Sequence, residues 1–391
     1  MKAGWEVKPL GEVCDFKGGS QPPKSLFISE PKDGYIRMLQ IRDFKSDDKA
    51  VYIPVTSTTN ACEANDIMIG RYGASVGQIH RGKAGAYNVA LIRTIPDLGQ
   101  LNPDYFYHYL TSDLFQKPLV QVSKRGAQDG FSKPDIAPFP IPIPPLEEQK
   151  RIVAVLDAAF EGLTRAKENA EANLQNAREL FESTLSYLFS RSADWKLCAL
   201  NDHVAFMDYR GKTPPKREDG VRLITAKNVK RGYIQVEPKE FIDETAYDGW
   251  MTRGFPEEGD VLFTTEAPLA NVAQLDTSEK VVIGQRLITM KPDKKLIDRE
   301  FLKFALMSPQ MQEEIFSCAT GATVLGIKAK LLKTVKLRFP TDLNLQRKVA
   351  SQCRTSFEKM DELDAIYRTK LADIADLRQS LLQKAFAGEL A

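Results

Sequence analysis

The strongest constraint on the fold is an internal repeat: short motifs occur twice, in the same order, along the 391-residue chain. Trp5 and Trp195 each open a copy, and Gln149 and Gln346 occupy equivalent places near the ends of the copies. Between them lie the paired segments Pro22–Lys24 and Pro214–Lys216, Ile36–Leu39 and Val221–Ile224, Asp66–Ile69 and Asp260–Phe263, and Gly126–Ala127 and Gly321–Ala322. Chance gives one or two such matches but not an ordered series. The sequence therefore predicts a tandem duplication.

Each copy is predicted to begin with a mixed α/β region. Short β-like runs are punctuated by glycine and proline, which favours short strands joined by turns. The predicted strands are Ala50–Pro54, Ile67–Ile69, Val89–Ile95, Val261–Thr265 and Val281–Met290, and helices are predicted near Tyr105–Leu110 and Phe301–Met307.

A proline-rich stretch, Pro138–Pro145, ends this region in the first copy. Because proline lacks a backbone N–H and has a fixed φ, we expect an extended, stiff strut rather than a strand inside a sheet. Glu147 and Glu148 follow the stretch, and acidic residues suit the N-terminus of a helix. A helix is therefore predicted to begin directly after the prolines.

Long helices are predicted at the end of each copy. Residues 146–190 contain no proline, and their apolar or small residues alternate at spacings of four and three, which is typical of a coiled-coil seam. These residues are at positions 152, 156, 159, 163, 166, 170, 174, 177, 181, 184 and 188, and their counterparts at 349, 353, 360, 363, 367, 374, 377 and 381. Each helix would span about 65 Å. Two ordinary long helices that pack only on their own domains are the alternative.

The predicted fold class is α+β, a tandem duplication of a mixed α/β domain plus a long helix, with the two helices paired as an antiparallel coiled coil. The predicted domains are residues 1–145, 146–192, 193–342 and 343–391. Because only residues 191–194 separate the first helix from Trp195, the third segment must begin near the far end of that helix. The expected shape is a dumbbell with approximate two-fold symmetry.

Composition restricts the function classes only in part. The 54 Lys and Arg residues nearly balance the 52 Asp and Glu residues, and a net charge of +2 neither requires nor excludes a nucleic-acid partner. No apolar run approaches the roughly 18 residues of a membrane span, and Met1–Trp5 lacks the apolar core of a signal peptide. Five scattered cysteines suit neither a zinc site nor a disulfide framework, and are predicted to be buried thiols of a cytoplasmic protein.

Two segments resemble catalytic motifs without meeting their requirements. Gly77–Lys83 has most of a P-loop, but Ala84 stands where a serine or threonine should hold the metal. Pro134-Asp135 and Glu148-Gln149-Lys150 contain the residue types of a metal-dependent nuclease motif. The carboxylates and the lysine must converge on a metal in such a site, but here the rigid proline run separates them. The second copy has Leu345-Gln346-Arg347 there, without a carboxylate. We therefore predict no catalytic residue, cofactor-binding residue or metal ligand in this chain.

Basic residues with interleaved polar and aromatic residues are the candidates for binding. Such side chains supply phosphate contacts, and Arg, Asn and Gln can read base edges. The candidates are Arg210, Lys216, Arg217, Lys227 and Asn228 in the second copy, and Lys24, Arg71, Tyr72 and Arg125 at corresponding places in the first. For any single residue the alternative is a solvated charged surface, and recurrence in both copies supports the set.

The pattern as a whole resembles the specificity (S) subunit of type I restriction–modification enzymes. Pro140–Val153 is the most specific part and looks like that family's boundary between recognition domain and spacer helix. Trp5–Val13 and Asp66–Ile69 are similar to landmarks of the recognition domain. The second boundary, Phe339–Gln346, departs from the pattern because it lacks the paired prolines and the paired glutamates.

This resemblance implies that residues 1–145 and 193–342 are target-recognition domains, each reading one half of a bipartite DNA sequence. The paired helices would set the unread gap and dock two adenine methyltransferase (M) subunits. Restriction/translocase (R) subunits would complete the complex, and S-adenosylmethionine, Mg and ATP would belong to those partners. The chain itself would be a non-catalytic, cytoplasmic subunit.

Under this interpretation, loops 70–73 and 264–267, which includes Thr265, reach base edges together with Gln128 and Thr323, while Lys24 and Lys216 hold phosphates. Three other hypotheses stay open. The chain would be the specificity subunit of a methyltransferase-only system, a duplicated coiled-coil scaffold that binds proteins, or a nuclease that cleaves in the presence of Mg.

Overall fold

The computed structural model describes residues 4–58, 60–124, 129–190, 194–209, 214–321 and 323–390. Two compact units divide the chain, Met1–Asn169 with Lys370–Ala391, and Ala170–Thr369. Within the described ranges, no helix has both the length and the hydropathy needed to cross a membrane.

The first copy contains short strands and helices followed by one long helix. In chain order these are β1 (Glu6–Pro9), α1 (Leu10–Val13), β2 (Cys14–Gly18), β3 (Tyr35–Leu39), β4 (Tyr52–Pro54), β5 (Ala61–Cys62), β6 (Met68–Gly70), β7 (Ile79–His80), β8 (Gly85–Tyr87), β9 (Leu91–Pro96), α2 (Pro103–Thr111), α3 (Asp113–Ser123), α4 (Lys133–Ile136), β10 (Pro140–Ile143) and α5 (Leu146–Ser190). Short 3-10 helices cover Lys24–Leu26, Ile41–Phe44, Val55–Ser57 and Gly73–Ser75.

The second copy has a corresponding series of elements. They are β11 (Lys196–Ala199), α6 (Leu200–His203), β12 (Val204–Asp208), β13 (Val221–Ile224), β14 (Glu240–Ile242), α7 (Tyr247–Trp250), β15 (Val261–Thr265), β16 (Leu269–Gln274), β17 (Val281–Ile283), β18 (Leu287–Pro292), α8 (Arg299–Met307), α9 (Pro309–Ser317), α10 (Ala329–Leu332), β19 (Lys336–Phe339) and α11 (Leu343–Ala387). A 3-10 helix covers Glu244–Ala246.

Both copies build three corresponding sheets, one of which has four strands in the first copy and three among the described residues of the second. Their strand orders are β2-β9-β6-β7, β4-β3-β8-β5 and β1-β10 in the first copy, and β12-β18-β15-β16, β14-β13-β17 and β11-β19 in the second. Neighbouring strands are antiparallel except β3 with β8 and β13 with β17, which are parallel at equivalent places. This agreement confirms the predicted duplicated α+β fold.

Two predictions differ from the structure in detail. The proline-rich stretch forms β10, which pairs with β1 in an antiparallel two-stranded ribbon, so the expectation of a strut rather than a strand inside a sheet was wrong. Proline is tolerated there because each strand of such a ribbon has an edge free of ladder hydrogen bonds. The single run predicted over Val281–Met290 is two strands in separate sheets, β17 and β18.

Each core joins the α/β region to both long helices. In the first unit, aromatic residues of α2 pack with residues of α5 and α11, namely Tyr105, Phe106, Tyr109, Ile152, Leu156, Leu382 and Phe386. The second unit packs α8 residues in the same way, through Phe301, Phe304, Phe181, Leu185, Val349 and Cys353.

The long helices run antiparallel in the second unit. Arg178 bonds Asp364 at 2.5 Å, and Phe181, farther along α5, packs on Phe357, which is earlier in α11. Buried α5 residues lie at positions 160, 185 and 189, one residue beyond the predicted seam positions 159, 184 and 188. Ala166, another predicted seam residue, is exposed.

A fully buried glutamine at the start of each long helix binds the α/β region of its copy. The Gln149 amide oxygen accepts the Asn102 N–H at 2.8 Å. Its amide nitrogen donates to the carbonyls of Gln100 and Pro144, both at 2.8 Å. Gln346 makes the equivalent three bonds, to Asp298, Leu296 and Pro340. The repeated glutamine therefore has a structural role in both copies.

The cysteines are free thiols, and most of them are buried, as predicted. Cys14, Cys62, Cys198 and Cys353 are buried, Cys318 is half-buried, and all five are free thiols. Burial raises the pKa of Cys14 and of Cys353 to about 12, and that of Cys62 to about 11. These thiols stay protonated at neutral pH and pack as small apolar groups.

Candidate nucleic-acid interface

Three loops of the second copy meet around an open cavity of about 410 Å³. We call this set, residues 265–266, 285–286, 320–321 and 323–328, loop cluster 2. The Thr265 N–H donates to the Arg286 carbonyl at 2.8 Å, and the Ile327 N–H donates to the Thr265 carbonyl at 2.9 Å. Glu266 and Gly326 form an isolated antiparallel β-bridge. The backbone bonds thus hold the loops together and leave side chains to line the cavity.

Two of these backbone connections recur in the equivalent loops of the first copy. We call this set, residues 71–73, 89–90 and 129–131, loop cluster 1. The Arg71 N–H donates to the Ala90 carbonyl at 2.8 Å, and Tyr72 bridges Gly130 as Glu266 bridges Gly326. Position 71 therefore corresponds to 265, 72 to 266 and 90 to 286.

Arg71 and Tyr72, two predicted site residues, lie side by side in loop cluster 1. The Arg71 Nε donates to the Phe131 carbonyl at 2.7 Å, and its guanidinium lies 5.0 Å from the centre of the Tyr72 ring. Tyr72 is 37% exposed. The stacked pair presents a cationic, planar surface of the kind that suits contact with DNA.

Two predicted site residues of the second copy are buried, and their assignments are corrected. The Asn228 amide is fully buried, accepts from the N–H and hydroxyl of Thr225 at 3.0 Å, and donates to two carbonyls. Thr265 is only 2% exposed, and its hydroxyl donates to the Arg286 carbonyl at 3.2 Å. Both side chains stabilise loops and do not face a base. Thr323, by contrast, is exposed.

The predicted phosphate-binding residues differ in their surroundings. Lys24 is exposed at a cavity of about 740 Å³ that Arg42 also lines. Lys227 is exposed as well. Lys216 forms a 2.6 Å ion pair with Glu240, and Arg217 lies 3.9 Å from Asp243, so carboxylates partly offset both charges. The remaining predicted residues, Arg125, Gln128 and Arg210, lie outside the described residues.

Loop cluster 2 also contains polar residues outside the loops predicted from the sequence. Gln285, Arg286 and Lys328 line its cavity together with Glu266, which belongs to the predicted loop 264–267. Arg286 was hidden inside the run predicted as one strand, whereas the structure ends that strand at Ile283 and gives Arg286 a φ of 65°. The sequence signal for a break in the strand was the adjacent polar pair Gln285 and Arg286 within an otherwise apolar β-like run.

The two catalytic resemblances do not form sites. Asp135 accepts from the N–H and hydroxyl of Ser132 in a helix cap, and Lys150 pairs with Glu147 at 2.8 Å. Lys83 of the P-loop-like segment bonds Asp47, and no helix begins there. Within the described ranges, no group of three or more His, Cys, Asp or Glu side chains is placed to hold a metal ion.

Two histidines are uncharged at neutral pH. Burial lowers the pKa of His80, whose ring stacks on Phe44. Burial also lowers the pKa of His108, although its hydrogen bond to Asp157 at 2.9 Å opposes the shift. Neither imidazole therefore adds positive charge to a phosphate-binding surface at pH 7.

Known proteins of one kind are similar to this chain. Residues 2–174 match the family model of the type I restriction modification DNA specificity domain. The type I restriction enzyme MjaVIII specificity subunit of Methanocaldococcus jannaschii is 23% identical over 99% of this chain and 93% of its own length. The EcoKI specificity subunit of Escherichia coli is 22% identical over 100% of this chain and 90% of its own.

Solved structures share the fold. A chain from a study of complex assembly and conformational transition of the type I R-M system has a TM-score of 0.76 and 20% identity, covering 99% of each chain. The HsdS subunit of Thermoanaerobacter tengcongensis has a TM-score of 0.52 and 19% identity, covering 100% of this chain and 98% of its own. With the duplicated fold and the family match, these likenesses confirm the resemblance in the sequence. The first copy therefore matches a type I DNA specificity domain, and the chain as a whole is similar to type I restriction enzyme specificity subunits.

Proposed function

We propose that this chain selects the DNA sequence on which a type I restriction–modification complex acts, and that it does so without catalysis of its own. Each copy would read one half of a bipartite target. The observation that carries the proposal is the contrast between the loop clusters, which share backbone bonds but differ in side chains. Arg71, Tyr72 and Ala90 in one copy stand where Thr265, Glu266 and Arg286 stand in the other.

Two domains that recognise different half-sites need the same loop backbone with different polar side chains on it. Sequence is read by hydrogen bonds to base edges, so a change of donors and acceptors on one backbone changes the sequence selected. Exposed basic residues such as Lys24 and Lys227 would contact phosphates and fix the register on the duplex.

The long helices would set the gap between half-sites and dock two M subunits. Several apolar side chains on them are exposed, including Leu180 at 66%, Tyr187 at 53% and Leu377 at 49%. Leu180 and Tyr187 are seven residues apart, so they share one face of α5, and an exposed apolar helix face is typical of surfaces that other proteins cover. R subunits would join the same complex, and S-adenosylmethionine, Mg and ATP would be held by these partners in the cytoplasm.

The direct test is to co-express the chain with the methyltransferase encoded beside it and to map methylated adenines by sequencing. We expect a two-part motif with a fixed unread gap, in which exchange of residues 1–145 changes one half only. A soluble complex without new methylation would contradict the proposal and favour a protein-binding scaffold. DNA affinity without a steep salt dependence would support that scaffold too.

Arg71→Ala tests base reading by the first copy. Loss of one bidentate contact costs about 1–3 kcal/mol, so discrimination at one position of one half-site should fall about 5- to 150-fold. Lys117→Ala is the matched control, because this exposed lysine of α3 pairs only with the neighbouring Asp113. Equal weakening at every target sequence would show that Arg71 binds phosphate instead.

A further inference from the structure

An exposed ion pair occupies loop cluster 2. Arg286 Nε bonds Glu266 Oε1 at 2.9 Å, and the two side chains are 53% and 45% exposed. The backbone beneath the pair is fixed, because Thr265 donates to the Arg286 carbonyl through both its N–H and its hydroxyl. Both charged groups therefore line the open cavity from a rigid base.

The pair leaves hydrogen-bonding atoms free to meet a ligand. Among the described residues, no hydrogen bond occupies the two terminal amino groups of Arg286, so they remain as parallel donors. Glu266 likewise keeps Oε2 as an acceptor. Among the residues that the structure describes, neither side chain has another hydrogen-bond or ion-pair partner. The pair thus offers two donors beside one acceptor.

Stability of the fold does not account for the pair. An ion pair this exposed adds little to stability. Arg286 has a φ of 65°, which a glycine would adopt at lower cost. Loop cluster 1 has Tyr72 and Ala90 at the equivalent positions. It keeps the backbone bond to Ala90 and the β-bridge of Tyr72 without such an ion pair. The frame therefore does not require these two side chains.

We propose that the Glu266–Arg286 pair reads a C·G base pair in the major groove of the half-site bound by the second copy. This inference rests on the proposed function. Guanine presents the acceptors O6 and N7, which match the two terminal donors of an arginine, and cytosine presents its N4 amino group to a carboxylate. Cytosine N4 and guanine O6 are bonded to each other, so the donors and the acceptor that read them must lie side by side. The ion pair holds the two side chains in that adjacency.

The charges also disfavour a phosphate contact at this place. A carboxylate beside the arginine repels the DNA backbone and offsets the positive charge. At a base edge the same carboxylate is useful, because it accepts from an amino group and penalises pairs that present an acceptor there. The first copy, with Tyr72 and Ala90, would not select this pair at its corresponding position.

The test uses the full chain in complex with its methyltransferase subunits. The wild-type motif is mapped first, and the complex is then remade with Arg286→Ala, Arg286→Lys or Glu266→Gln. We expect each variant to lose discrimination at a single C·G pair of one half-site, by about 5- to 150-fold, while the other half-site and the gap are unchanged. Arg286→Lys should also lose discrimination, because lysine lacks the planar fork of the guanidinium and its ammonium would compete for Glu266 in a different geometry.

A base analogue identifies the contact. With 7-deazaguanine at the assigned position, wild-type affinity should fall several-fold, whereas the affinity of the Arg286→Ala complex should not change. Lys294→Ala removes an exposed charge outside the loop cluster and should leave discrimination intact.

The failures of the two proposals are distinguishable. If wild-type methylation follows a two-part motif but the variants weaken all sequences equally, or the half-site has no C·G pair, only the reading by Glu266 and Arg286 is overturned. If the wild-type complex methylates no two-part motif, the proposed function fails and this inference fails with it. Unchanged methylation of the other half-site shows that a variant has folded.

Discussion

Gln149→Leu is the sharpest test of how the long helix is joined to the α/β region. The substitution nearly preserves side-chain volume, but it leaves the Asn102 N–H and the carbonyls of Gln100 and Pro144 without their partner. Each buried backbone group left unsatisfied costs about 1–3 kcal/mol. Two of the three lie only partly buried, so we take values near the lower end. The expected loss in free energy of unfolding of the first unit is about 3–5 kcal/mol.

Tryptophan fluorescence during urea unfolding measures this loss. Trp5 lies in the first unit, whereas Trp195 and Trp250 lie in the second, so a Trp195→Phe, Trp250→Phe background makes Trp5 the sole reporter. With an m-value of about 2 kcal/mol/M, the midpoint should fall by about 1.5–2.5 M urea.

Asn169→Leu is the matched control. Asn169 lies exposed on the same helix and within the first unit, so the change should cost at most about 0.5 kcal/mol. If the two variants had midpoints within about 0.3 M of each other, the structural role assigned to Gln149 would be refuted.

The remaining predictions concern the first unit and use the same fluorescence assay. Gly162→Ala should raise the free energy of unfolding by about 0.5–1 kcal/mol, because Gly162 is inside α5 and an added Cβ meets nothing within 4 Å; a lower midpoint would contradict this. Burial holds the pKa of His108 in the folded protein below its value in the unfolded chain, so the unfolded chain binds the imidazole proton more tightly. The free energy of unfolding therefore decreases as the pH falls from about 6.5 through the folded-state pKa. The difference in free energy of unfolding between wild type and His108→Gln should therefore decrease between pH 7 and pH 5.5. Gly162→Ala is the control and should follow the pH dependence of wild type. A difference between wild type and His108→Gln that stays constant with pH would refute the lowered pKa of His108.

The duplication could be predicted because its signal is local and repeated. Motifs such as Asp66–Ile69 and Asp260–Phe263 form equivalent strand starts, and each copy reproduces the same sheet order around them. The helices could be predicted because a proline-free stretch with three-four apolar spacing favours a long amphipathic helix. Burial at 160, 185 and 189 differs from the predicted seam by one residue, because the facing core, not the spacing alone, decides which side of the helix is covered.

The site was only partly predictable. Loop 70–73 was identified, and Arg71 and Tyr72 lie partly exposed there, but Asn228 and Thr265 turned inward. A polar residue in a loop faces solvent or stabilises the loop according to which backbone groups surround it, and those groups come from elsewhere in the chain. For Asn228 they include the carbonyls of Gln235 and Pro238.

The sequence by itself determined the repeat, the α+β class, the long helices and the resemblance to type I specificity subunits, because these depend on periodicity and motif order that neighbouring residues carry. Only the tertiary structure decided which polar groups line the loop clusters. Glu266 and Arg286 are twenty positions apart in the chain, and they meet because the Thr265 backbone bonds both Arg286 and Ile327. Contacts between distant segments leave no regular pattern in a single sequence, so the pair becomes visible only once the chain is folded.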